Sequence, residues 1–156
     1  MKKLFLLLMI VPMISFGQCI SGDCENGYGV FMDTGYSGGE TKYVGEFKDG
    51  VAHGEGVFYL ANGNIFIGTQ KYGDYYNGTY IFSSGDIYIG EFKENSFGGR
   101  GMYFYNSTGE YGTQMPVNTK YEGEFSDGLT PHGYGKVTYA DGKVKEGLWE
   151  NGKFVK

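Results

Sequence analysis

Along this chain apolar and polar positions alternate in short runs and do not recur at helical spacing. In "TKYVGEFKDGVAHGEG", Thr41 to Gly56, successive side chains of an extended strand point to opposite faces, so Tyr43, Gly45 and Phe47 share one face and Val44 and Glu46 the other. Lys48-Asp49-Gly50 then interrupts the alternation, and glycine enters positive φ at little cost, which predicts a hairpin turn. The return strand "GEGVFYL", Gly54 to Leu60, alternates again and closes at Ala61-Asn62-Gly63. The stretch therefore predicts one β-hairpin.

The same wording returns as "TKYEGEFSDGLTPHGYG", Thr119 to Gly135. Aligning the chain on an aromatic followed two residues later by glycine gives Tyr43/Gly45, Phe66/Gly68, Tyr88/Gly90 and Tyr121/Gly123, with Lys145/Gly147 as a worn last copy. The intervals are 23, 22, 33 and 24 residues, so the third copy carries an insertion. Periods of this size mean an array of stacked units. A turn glycine follows in each copy, at Gly50, Gly73, Gly128 and Gly152, with Asn95 in the third. The glycines flanking the aromatics share their face, where bare backbone lets a ring lie flat over it.

These residues, in the pattern YxGEFxxGxxHGxG, resemble the MORN (membrane occupation and recognition nexus) repeat. That resemblance implies an all-β fold: one elongated antiparallel sheet of successive β-hairpins, each touching only its neighbours. It divides the chain into residues 18–42 as a degenerate opening repeat, copies at 43–65, 66–87, 88–120 (with the insertion) and 121–144, and a capping half-repeat at 145–156 with Trp149 in the phenylalanine slot. The second copy departs most, with Thr69 and Gln70 where the others have Glu and Phe.

The start, "MKKLFLLLMIVPMISFGQC", has two lysines, an apolar run and small residues Ser15 and Gly17, the pattern of a secretory signal cleaved after Gly17. The run is shorter than the roughly 20 residues needed to span a bilayer. The expectation is an exported protein, periplasmic, in the cell envelope or secreted, with lipidation of Cys19 a minor alternative. Cys19 and Cys24, in an export compartment, are expected to form a local disulfide. A metal site lacks ligands and a redox motif needs a shorter spacing, and neither a metal nor another cofactor is expected. Loss of Lys2 and Lys3 takes the formal net charge from −5 to −7, a balance that repels phosphate backbones. Nucleic acid is thus an unexpected partner, and binding to anionic membranes is expected to be absent because lysine and arginine are dispersed.

Catalytic chemistry finds little support. His53 and His132 occupy one slot in copies one and four, too far apart to share a proton. Glu91 and Glu124, in adjacent copies, resemble a wide glycosidase pair, but a single-layer sheet promises no pocket to raise one pKa. The glutamates read as polar partners of a regular ladder. The period breaks at Tyr36 to Lys42 and at Glu110 to Lys120, and insertions in repeat proteins map to loops, often on the binding side. The reading is a non-catalytic scaffold that holds a protein partner or a second copy. Its candidate surface is an exposed aromatic ladder, Tyr43, Phe66, Tyr88 and Tyr121, with Met115 and Pro116 in the long loop. A glycan, cell-wall or lipid-binding module is the alternative, and a glycosidase ranks third.

Overall fold

The structure is a computed structural model, and it describes residues 17–35, 39–107, 115–126 and 128–156. The expected signal segment lies outside the described residues but for Gly17, as do 36–38 and 110–114 of the two insertions. Twelve strands follow one another: β1 (Gln18–Gly22), β2 (Tyr28–Asp33), β3 (Thr41–Lys48), β4 (Val51–Tyr59), β5 (Ile65–Lys71) and β6 (Asp74–Ile81), then β7 (Ile87–Lys93), β8 (Ser96–Tyr105), β9 (Thr119–Ser126), β10 (Thr130–Thr138), β11 (Val144–Glu150) and β12 (Lys153–Phe154). All pair antiparallel with their sequence neighbours in one sheet of order β1 to β12. The fold class read from the sequence is thus the observed one: all-β, a single open sheet of consecutive hairpins.

Two cross-strand rows explain why these strands align. The first is made of glycine: Gly22, Gly29, Gly45, Gly56, Gly68, Gly78, Gly90, Gly101, Gly123, Gly135 and Gly147 stand opposite one another from β1 to β11. The adjacent row on the same face is aromatic, running Phe31, Tyr43, Phe58, Phe66, Tyr80, Tyr88, Tyr103 and Tyr121 before it ends on Val137. A Cβ added at Gly56, Gly101 or Gly135 would run into the ring of Tyr43, Tyr88 or Tyr121. The glycines are therefore required by the rings that lie over them. A one-residue slip would put side chains under those rings, so the glycine row also fixes register.

In three copies the tyrosine tip makes the same bond. Tyr43, Tyr88 and Tyr121 donate to the carbonyls of Glu46, Glu91 and Glu124 at 2.9, 2.7 and 2.9 Å. Each ring also meets the phenylalanine two pairs along its strand edge-on, at 5.0 Å for Tyr43 and Phe47 and 4.9 Å for Tyr121 and Phe125. Such contacts add about 0.5–1.5 kcal/mol beyond area burial.

This packing overturns the expected exposed aromatic ladder. Tyr43 is 2 % exposed and Phe66, Tyr88 and Tyr121 are 0 % exposed. They are the core. The physical reason is that rings on one face of a single sheet bury each other and the glycine backbone, so no second layer is needed to cover them.

The tight turns of one edge, Asp49-Gly50, Tyr72-Gly73, Glu94-Asn95 and Asn151-Gly152, have positive φ at both residues, the two-residue connection that suits strand twist. The glycine N–H of Gly50, Gly73 and Gly152 then donates to Glu25, Ala52 and Pro131 of the preceding hairpin, each at 2.9 Å. Asn95 instead uses its side-chain oxygen, which accepts from the Tyr75 N–H at 2.7 Å. At one end of the array a Cys19–Cys24 disulfide ties β1 to the β1–β2 loop. At the other, Trp149 is 2 % exposed and donates its indole N–H to the Gly135 carbonyl at 3.0 Å.

Candidate functional site

The face opposite the rings carries three parallel rows. The inner row, next to the glycines, is Val44, Val57, Ile67, Thr79, Ile89 and Met102, and it continues as Glu122, Lys136 and Glu146. The outer row is Tyr59, Ile65, Ile81, Ile87 and Phe104. On the other side of the glycines lies a polar row containing Glu46, then Glu55, Thr69, Asn77 and Glu91, then Arg100 and Glu124. Alternation forces this division, since every residue between two core positions must face away from the core. Chemistry then differs along the array. The inner row is apolar but for Thr79 from β3 to β8 and charged from β9 to β11.

Apolar side chains remain accessible there: Tyr59 is 44 %, Ile67 45 % and Ile89 36 % exposed.

Over β8–β11 the open face forms a shallow cleft of about 390 Å³, with Gly101, Gly123 and Gly135 as its floor. Its walls are Arg100, Glu122, Glu124, Tyr134, Lys136 and Glu146. Arg100 pairs with Glu124 at 3.6 Å, and the Tyr134 hydroxyl donates to Glu146 at 3.3 Å, which together with the Glu146 charge raises the Tyr134 pKa. Glu91 does not line this cleft. Instead the carboxylates of Glu46, Glu91 and Glu124 each lie over a left-handed glycine, Gly54, Gly99 and Gly133, with φ of 71°, 79° and 69°. Glu91 accepts the Arg100 N–H at 3.0 Å. These glutamates hold the irregularity in each hairpin, a more specific role than ladder partners. Glu91 and Glu124 therefore do not share this cleft.

His53 accepts the Tyr72 N–H at 3.4 Å and meets the Tyr72 ring edge-on at 5.1 Å, a turn-side role. It stands on β4, and His132 on β10. Among the described residues no three of His, Cys, Asp and Glu converge on a point that could hold a metal ion. In the long loop, Met115 packs against the aromatic core and Pro116 is exposed.

The sequence reading missed Asp86. It is 2 % exposed and accepts the Tyr103 hydroxyl at 3.0 Å, the backbone N–H of Asn106 and Ser107 at 2.7 and 2.8 Å, and the Ser107 hydroxyl at 2.9 Å. It thereby holds the entry to the long loop. Its signal was positional: Asp86 follows Gly85 as Asn64 follows Gly63, and Asn64, 4 % exposed, likewise bonds the Tyr80 hydroxyl and the Ser83 N–H of the next hairpin.

Comparison with known proteins finds two similarities. The MORN repeat model matches residues 43–65, 88–109 and 121–144. The chain is also 30% identical over 121 residues to Alsin of Rattus norvegicus, a similarity that covers 70% of this chain and 7% of that protein. The unmatched copy at 66–87 pairs antiparallel through its glycines as its neighbours do, but its register shifts at Thr69/Gln70 by one residue fewer than theirs. The three segments that match the MORN repeat model, 43–65, 88–109 and 121–144, therefore sit within a longer sheet of consecutive hairpins.

Proposed function

We propose that this protein is an exported, non-catalytic scaffold that holds another protein. The carrying observation is the division of the sheet: the aromatic row beside the glycines is spent on internal packing, while the opposite face leaves half-exposed apolar rows across β3 to β8. The candidate surface consequently moves from the four core rings to that open face, and Met115, which packs against the ring cluster, leaves it. A scaffold needs rigid surface, and short hairpins stitched by glycine N–H bonds supply it.

Export rests on the first 17 residues alone. Intact mass of the protein recovered from expressing cells tests it: a chain beginning at Gln18 is expected, and a diacylglycerol on Cys19 would replace the soluble form with a lipoprotein. Light scattering with size-exclusion chromatography, followed by capture from the parent cell's envelope, tests the scaffold itself. Capture of one envelope protein by a monomer is expected. A chain that captures nothing and does not self-associate would remove the reading.

A glycan-binding reading is favoured by one observation, the exposed Tyr134 ring on the rim of the glycine-floored cleft, since rings of this kind stack on sugars. Retention on a polysaccharide column that is lost in Tyr134→Ala would support it.

A further inference from the structure

We propose that the open face of β3–β8 docks an amphipathic helix of a partner protein, one that lays an apolar side on the Val44–Met102 row and a lysine- or arginine-bearing flank on the glutamates beside it. This deepens the scaffold reading and rests on it.

The direction of the rows selects the shape of the ligand. They run across the strands, so an added strand, which pairs along a sheet edge, would not follow them. From β3 to β8 the inner row covers about 24 Å at a strand spacing of about 4.8 Å. A helix of about 16 residues has that length at 1.5 Å per residue. The two apolar rows lie two residues apart along each strand, about 7 Å, a width matched by one side of a helix.

Charge selects its chemistry. Glu46, Glu55 and Glu91 are exposed and lie one row from Val44, Val57 and Ile89, on the side away from the outer apolar row. Between β3 and β7 that polar row contains Glu46, Glu55, Thr69, Asn77 and Glu91 and no basic residue. A helix seated on the apolar rows would bring its flank within reach of these carboxylates, and only a basic flank repays their lost hydration.

The same row argues against a second copy as occupant. Stacking two open faces about an axis along the strands sets glutamates against glutamates. Stacking them about an axis along the rows sets glutamates against Tyr59, Ile65 and Ile81 of the other copy. Either arrangement takes exposed carboxylates out of water with no basic residue in the facing row to pair them, while Lys48, Lys71 and Lys93 stand one row further out.

The test titrates the full chain with a fluorescent 18-residue Leu/Lys amphipathic peptide, using a Leu/Glu peptide of the same pattern as reference. Binding of the Leu/Lys peptide alone is expected, weakened about tenfold by Glu55→Gln with Glu91→Gln and by added salt, as charge complementarity requires. Ile67→Asp with Ile89→Asp should abolish it, and Ile67→Thr with Ile89→Thr, which keeps strand propensity, should weaken it with the sheet intact by circular dichroism. Glu25→Gln with Glu94→Gln, on the turns, changes net charge equally and should leave affinity unchanged. Equal weakening by that control, or no binding, overturns the proposal, and so does a concentration-dependent dimer abolished by Ile67→Asp with Ile89→Asp. Capture from envelope extract separates the two readings: a protein held equally by wild type and the isoleucine variants sinks the helix site and leaves the scaffold standing. Peptide binding without any captured protein sinks the scaffold and leaves the face with its ligand preference.

Discussion

The hairpins β9–β10 and β5–β6 solve one packing problem with different residues. In β9–β10 the ring of Tyr121 lies over Gly135, its hydroxyl reaches the Glu124 carbonyl, and Phe125 fills the next position on the strand. In β5–β6 that position is Gln70, fully buried, whose side-chain oxygen accepts the Tyr43 hydroxyl of the neighbouring unit at 2.9 Å while its amide donates to the Gly68 carbonyl at 3.0 Å. The missing ring has moved across the strand pair. Tyr75, opposite Gln70, stacks on Phe66 at 4.0 Å and 17°. The array tolerates exchange of the Glu and Phe positions provided the aromatic volume returns nearby and every buried polar atom is bonded. It does not exchange the glycines.

The largest effect is expected where the regular hairpin is broken at its ring. Tyr121→Ala should cost about 3–5 kcal/mol, read from denaturant midpoints, because a fully buried ring leaves a cavity and uncovers the glycine row. Tyr121→Phe should cost only about 1 kcal/mol, for the bond to the Glu124 carbonyl. Restoring the motif residue in the other hairpin should hurt as well. Gln70→Phe is expected to lose about 1–3 kcal/mol by overpacking against Tyr75 and by removing one of the two acceptors beside the Tyr43 hydroxyl, which keeps the Glu46 carbonyl. Adding Tyr75→Ala copies the Phe47 and Ala52 pair of β3–β4 and should recover part of the loss, a coupling that independent sites would not show.

Gly133→Ala should cost about 1–2 kcal/mol, since a side chain there is held at positive φ and meets the Glu124 carboxylate. A spared Gly133→Ala would mean that the Glu124 carboxylate does not hold this hairpin.

The smallest effect is confined to alkali. Burial, with Glu124 nearby, pushes the Tyr121 pKa up to about 12, and burial does the same to Tyr75 beside Tyr80. A pKa raised above its unfolded value of 10.0 means that the folded state keeps its proton longer, so stability is level below pH 10 and falls between pH 10 and about 12. Thermal melts should follow that window, and Tyr121→Phe should narrow the fall. A flat profile to pH 12 would show the hydroxyls ionising freely in the folded sheet.

Much of this was legible in the residues. The spacing of Tyr43/Gly45 and its repeats predicted the hairpins, and Lys48-Asp49-Gly50 predicted their turns, because strand alternation and positive φ are local demands that each residue states for itself. The position of Asp86 after Gly85 was legible but its bonds were not, since its partners Tyr103, Asn106 and Ser107 lie in the next hairpin. The exposed ladder failed for a related reason. Alternation told which residues share a face, yet it carried no information about which face would cover itself.

The sequence by itself determined the period, the single-sheet order and the shared face of rings and glycines, all consequences of backbone geometry acting within about 25 residues. Only the tertiary structure decided that Tyr43, Phe66, Tyr88 and Tyr121 are core, that Glu46, Glu91 and Glu124 brace left-handed glycines, and that the apolar rows opposite them are the surface left open. Burial in a one-layer sheet depends on how neighbouring units lean on one another, and that is a property of the assembled array.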